Sequence, residues 1–131
     1  MNGMKKMRAK LEGLRVLIVE DDPVLRKGMK HLCGKFLSSV EDASNAKAAL
    51  ERFEESPFDL VVSDLNMPGI SGVQLATLLK KRNPELVFVI LTGDSDAKGD
   101  DDATIEMVLQ KPALIEDIKR VFELLIARKG R

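Results

Sequence analysis

Three consecutive acids, Glu20, Asp21 and Asp22, follow the apolar run LRVLIV, Leu14 to Val19. A fourth carboxylate, Asp64, closes the stretch FDLVVSD, after which the chain breaks into Asn66, Met67, Pro68 and Gly69. Thr92 follows LVFVIL, Leu86 to Leu91, and Lys111 follows MVLQ, Met107 to Gln110. Each chemically capable side chain therefore stands at the end of an apolar run. Carboxylates gathered in one place repel one another, and partial burial raises the cost of every charge unless a cation sits among them. A hard divalent ion with oxygen ligands answers that need, Mg²⁺ ahead of Ca²⁺ because few ligands are on offer. Asp64 is then available as a nucleophile, Thr92 as a hydroxyl donor and Lys111 as a point positive charge. Such parts suit an incoming phosphoryl group.

The elements that must bring these residues together are legible as an alternation. The apolar runs Leu14 to Val19, Leu60 to Ser63, Leu86 to Leu91 and Met107 to Gln110, with a weaker one at Ser39 to Asp42, predict five strands. Between them apolar residues recur at three and four. Leu25, Met29, Leu32 and Phe36 predict a first helix with Asp22 as N-cap and Pro23 at N1. Ala46, Ala49, Leu50 and Phe53 predict a second; Leu75, Leu78 and Leu79, after Gly72, a third. The last carries Leu114, Ile118, Val121, Phe122 and Leu125. Strand–helix alternation of this kind makes a parallel α/β sheet with right-handed crossovers, in which all strand ends gather along one edge. Ligands bind at that edge, at the switch point between strands.

Composition limits what else the chain can be. At 131 residues it fits one domain with a single core. Its 21 basic and 21 acidic side chains cancel, so no field of one sign draws in nucleic acid or an anionic membrane. Cys33 is the only cysteine, and no apolar run is long enough to cross a bilayer, so the expected setting is cytoplasmic. The basic leader, residues 1–13 with Lys5, Lys6, Arg8 and Lys10, is expected to be a frayed tail, and residues 129–131 a short C-terminal tail.

The pieces VLIVEDDP, DLVVSDLNMPGISG, VILTG and QKP, in this order at the ends of strands one, three, four and five, resemble the receiver domain of two-component response regulators. The resemblance is to single-domain chemotaxis-type regulators and covers nearly the whole chain, with residues 14–128 as the receiver domain. It implies a flavodoxin-like, doubly wound (β/α)5 fold with a five-stranded parallel sheet in the order 2-1-3-4-5. Asp64 is implied as the phosphoacceptor, taking a phosphoryl group from a phosphohistidine of a sensor histidine kinase or histidine phosphotransfer protein. Mg²⁺ is implied at Asp21, Asp64 and the backbone carbonyl of Asn66, with Glu20 assisting through water. Thr92 and Lys111 would stabilise the phosphoryl oxygens, and the Lys111–Pro112 bond is expected to be cis. Asn66, Gly93 and Asp94 are expected to govern how fast water removes the phosphoryl group, and Pro23, Val24, Lys27, Pro112 and Ala113 to receive the phosphodonor.

Two departures from the family pattern stand out. Val108 occupies the place, three before the lysine, where an aromatic switch residue is frequent. The segment GDSDAKGDDDATIE, Gly93 to Glu106, is short and rich in aspartate and glycine, so the helix expected there is stunted or irregular. The principal function read from the sequence is a phosphorylatable signalling receiver with a downstream protein partner, no nucleic acid bound directly and no catalysis beyond its own phosphorylation and dephosphorylation. A pseudo-receiver that binds without taking phosphate is the alternative. An aspartyl phosphatase of related fold is a third, disfavoured because Asn66 stands where a second acid is needed two positions after Asp64.

Overall fold

Central strands that are apolar along nearly their whole length must be covered on both faces, and this requirement organises the chain. The computed structural model describes residues 3–93 and 104–131. Strands β1 (Val16–Val19), β2 (Val40–Ala43), β3 (Leu60–Asp64), β4 (Val87–Thr92) and β5 (Met107–Gln110) form one parallel sheet in the order β2-β1-β3-β4-β5. Helices α1 (Gly3–Leu11), α2 (Pro23–Cys33), α3 (Ala46–Glu55), α4 (Gly72–Arg82) and α5 (Ile115–Arg128) complete the described elements. The shortened helix expected between β4 and β5 falls largely on residues 94–103, outside the described residues.

Strand side chains alternate between faces, so each central strand feeds two cores. Val16, Ile18, Leu60, Val62, Val89 and Leu91 pack towards α2 and α5, where Met29, Cys33, Val121 and Phe122 meet them. Phe36, expected inside the first helix, lies beyond its end at Cys33 yet stays in this core, its ring 5.2 Å from that of Phe122. Leu17, Val19, Val61, Phe88 and Ile90 face the other way, towards Ala49 and Phe53 of α3 and Leu75 and Leu79 of α4. Asp22 caps α2 as expected, its Oδ1 accepting from Val24 N at 2.8 Å and Leu25 N at 3.2 Å, with Pro23 at the first helical position. Ser71 caps α4, and Gln74 closes the reciprocal capping box.

The frayed tail expected at the N-terminus is corrected by the structure. Residues Gly3–Leu11 form a helix, because Met4, Met7 and Leu11 are spaced at three and four and make an apolar stripe beneath the charges. Leu11 is fully buried, and Met4 and Met7 pack against the α2–α5 core. The turn into β1 uses Gly13 at φ +83°, a backbone state open to glycine, and Leu14 N bonds Leu11 O at 3.0 Å; the strand therefore begins at Val16, later than the apolar run suggests. At the other terminus Arg131 Nη1 donates to Glu12 O at 2.7 Å, and Lys129 pairs with Asp59 at 2.8 Å. The last residues are thus tied to the turn that follows α1 and to the start of β3.

Candidate functional site

Register decides which side chains meet at the strand ends. Val19 pairs with Ser63 and Asp64 with Leu91, so Glu20, one step past Val19, is level with Asp64. Alternation then places Glu20, Asp64 and Lys111 on the α2–α5 side, in the same set as Ile18, Val62 and Leu109. The carboxylate oxygens of Glu20, Asp21 and Asp64 lie within 4.8 Å of one another. Glu20 and Asp64 are buried, and Asp21 is exposed at the mouth.

Lys111 enters this cluster from the loop after β5. Its backbone N bonds Thr92 O at 2.7 Å, and the Lys111–Pro112 peptide is cis, as expected. Its Nζ pairs with Asp64 Oδ1 and stands 2.8 Å from Glu20 Oε1. Apart from this ion pair, the buried Glu20 Oε1 meets no hydrogen-bond donor among the described residues. Burial is the largest influence on Asp64, and with Glu20 beside it pushes the carboxyl up to about 7 against the pull of Lys111. Burial alone would raise Glu20 as well; contacts with Asp64 and Lys111 and the amide of Asp22 outweigh it and hold Glu20 down at about 2. The pair therefore holds its charge unequally, with Glu20 the anion and Asp64 the group that resists ionisation. Lys111 offers one positive charge to three carboxylates, which leaves two negative charges uncompensated at full ionisation. A divalent cation matches that deficit.

The remaining expected residues are distributed around this centre. Thr92 is buried at the end of β4. Asn66 and Gly93 are exposed just past the ends of β3 and β4, while Asp94 lies outside the described residues. Asp22 is occupied as the cap of α2. Of the expected docking residues, Val24, Pro112 and Ala113 line one groove of about 440 Å³ between α2 and the β5–α5 loop, whose head is formed by Glu20 and Lys111. Pro23 and Lys27 are exposed on α2 but are not part of its lining. Val108, paired with Ile90, packs partly buried against the α3–α4 core.

Two contributors escaped the sequence. Gly72 sits so close beneath the site that a Cβ there would lie 2.3 Å from Asp64 O and 2.6 Å from Ile90 Cδ1. Arg26 reaches the backbone of the acid triplet from α2, its Nη1 2.9 Å from Glu20 O. A glycine opening a helix hints at the first; no local pattern marks the second, since the contact is tertiary.

The profile of the response regulator receiver domain matches residues 16–123. CpdR, a response regulator receiver protein of Brucella abortus, is 32% identical over 122 residues, covering 86% of this chain and 98% of CpdR. FleR, a response regulator protein of Pseudomonas aeruginosa, is 37% identical over 102 residues, or 76% of this chain. The chain spans nearly all of CpdR, but 20% of FleR and 34% of the transcriptional activator ExaE of Pseudomonas putida. Among solved structures, a receiver domain protein from Clostridium thermocellum superposes with a TM-score of 0.78 at 27% identity, covering 89% of this chain and 97% of that one. The response regulator TrrA of Thermotoga maritima, solved in complex with Mg²⁺–BeF, superposes with a TM-score of 0.74 at 28% identity, covering 86% and 98%.

Proposed function

The chain belongs to the response regulator receiver family of two-component systems, and from that premise we propose that Asp64 accepts a phosphoryl group from a phosphohistidine on a sensor kinase or phosphotransfer protein. The observation that carries this reading is the charge deficit: three carboxylates share one ammonium around a buried aspartate at an open strand edge. Asp21, Asp64 and the carbonyl of Asn66 would hold Mg²⁺, with Glu20 assisting through water. Bound there, Mg²⁺ supplies the counter-charge that the carboxylates and phosphoryl oxygens need.

The protein's own part is positioning. An Asp64 oxygen bonds to phosphorus as the P–N bond of the partner's phosphohistidine breaks, the electron pair staying on the imidazole nitrogen. Lys111, paired with Asp64 beforehand, exchanges that carboxylate oxygen for a phosphoryl oxygen, and the Thr92 hydroxyl donates to another. Asn66, Gly93 and Asp94 would set the lifetime of the adduct by governing how readily water attacks it. The chain acts as a cytoplasmic relay or switch for a downstream protein and turns over no other substrate. No helix among the described residues is long and apolar enough to cross a membrane.

Intact mass after incubation with acetyl phosphate and Mg²⁺ tests the reading. The chain should gain one phosphoryl group, and Asp64→Asn should gain none while keeping the parent's circular dichroism. No adduct on the parent would favour the pseudo-receiver, and an undiminished adduct on the variant would remove Asp64 from its role.

A further inference from the structure

The acid triplet is held from behind. Arg26, on the first turns of α2, donates from Nη1 to Glu20 O at 2.9 Å and lies 3.5 Å from Asp21 O. Its Nε donates to Asp42 Oδ2 on β2 at 3.1 Å, and Lys30 reaches the other oxygen of Asp42 at 3.4 Å. One guanidinium thus fastens the end of β1 to the end of β2, on the side of β1 away from Asp64.

The triplet needs such a fastening because it lies between two regular elements. The β1–β2 ladder reaches as far as Glu20 N, bonded to Ala43 O at 3.1 Å, and the helix begins with the Asp22 cap. Asp21 is exposed between them. A fork that takes the carbonyl before it and approaches its own fixes both flanking peptide planes and, through them, the direction of the Cα–Cβ bond. A planar guanidinium makes these contacts at once, where an ammonium is a point charge.

We propose that Arg26 is a positioning residue for the divalent cation: it aims the Glu20 and Asp21 carboxylates at the space beside Asp64 and so sets the affinity of the acid pocket for Mg²⁺. This inference rests on the phosphoryl-transfer reading given above. Its sign is opposite to that of simple electrostatics. Arg26 is a cation near a cation site, so its charge alone weakens Mg²⁺ binding, and an uncharged replacement would tighten it. Loss of aim weakens binding instead, and groups that orient metal ligands typically contribute about 10–100-fold in affinity.

Calorimetric titration of the full chain with MgCl₂ separates the two. Arg26→Met should bind Mg²⁺ about tenfold more weakly or worse. Its thermal midpoint in EDTA should stay near the parent's, because Asp42 keeps Lys30 as partner. Arg26→Lys, which keeps the charge but loses the fork, should fall between parent and Met variant. Phosphoryl uptake from acetyl phosphate should return to the parental rate once Mg²⁺ saturates the Met variant. Equal or tighter binding by Arg26→Met overturns the proposal, as does uptake that excess Mg²⁺ fails to restore. If Arg26→Met does not fold, Arg26→Lys decides, and affinity equal to the parent's overturns it. A parent that binds no Mg²⁺ overturns the phosphoryl-transfer reading as well, which keeps the two failures distinguishable.

Discussion

Asp64 carries a cost that its partners only partly offset. Buried and beside Glu20, it favours its proton in the folded chain, so its share of stability is complete below the ordinary value of 3.8 and is lost as pH rises through about 7. Glu20, held near 2, acts in the opposite sense, and its share is complete only above its ordinary value of 4.5, so the two effects separate above about pH 5. In EDTA, the urea midpoint of the parent should therefore fall between about pH 5 and pH 7, and Asp64→Asn, with nothing to ionise, should flatten that fall. Parallel curves for the two proteins would show that Asp64 ionises freely in the fold. The sequence made this residue legible because an acid at the end of LVVS has no place in a buried strand unless it is used. Its companions Glu20, Asp21 and Lys111 were legible on the same ground. Arg26 was not, since an arginine in the first turns of an amphipathic helix reads as a solvated charge until β2 brings Asp42 beside it.

Among the elements, legibility followed how much local chemistry each one carries. Helix α2 announces itself by Asp22 and Pro23 and by its apolar spacing, and it forms where those signals lie. Helix α1 holds the same kind of spacing in Met4, Met7 and Leu11, but four cations and a starting glycine mask it, and only the α2–α5 core gives the stripe something to cover. Helix α4 carries a constraint of its own, since its first residue must be small for the helix to sit under Asp64. In Gly72→Ala the new Cβ would meet Asp64 O at 2.3 Å, so either the helix end or the strand end must move. That overpacking should cost about 1–3 kcal/mol in urea unfolding and slow phosphoryl uptake from acetyl phosphate. Gly28, inside α2 with no atom within 4 Å of such a Cβ, supplies the contrast. There alanine should stabilise by up to about 1 kcal/mol through helix propensity. Equal effects at the two glycines would mean that the close approach at Gly72 does not constrain the site.

At the scale of the whole molecule, the parallel sheet followed from alternation and the strand order from the resemblance, while the surface a partner uses depends on how separate elements lie side by side. Val24 is 77% exposed and Leu114 58%, an uncommon degree for large apolar side chains, and both lie on the elements that border the acid pocket. Val24, Pro112 and Ala113 line the groove that also contains Glu20 and Lys111, so apolar surface is presented where, in the proposed transfer, a phosphohistidine would approach Asp64. Exposed apolar anchors beside a reactive centre suit a protein donor and are of no use to a small one. The two classes of donor therefore divide the functions of the surface and the pocket. Val24→Glu should leave uptake from acetyl phosphate at the parental rate, because the side chain points into solvent on α2 rather than being buried with Glu20 and Asp64. The same variant should slow transfer from a phosphohistidine-loaded partner that phosphorylates the parent by about tenfold or more, the size expected when an interface anchor that contributes about 1.4 kcal/mol or more is lost. Charge reversal at Lys27, exposed beside the groove but outside its lining, should have a smaller effect that fades with added salt. Rapid-quench transfer assays with both donors check the pair: equal loss with both donors would place Val24 in the chemistry, and no loss with the protein donor would move docking to another face.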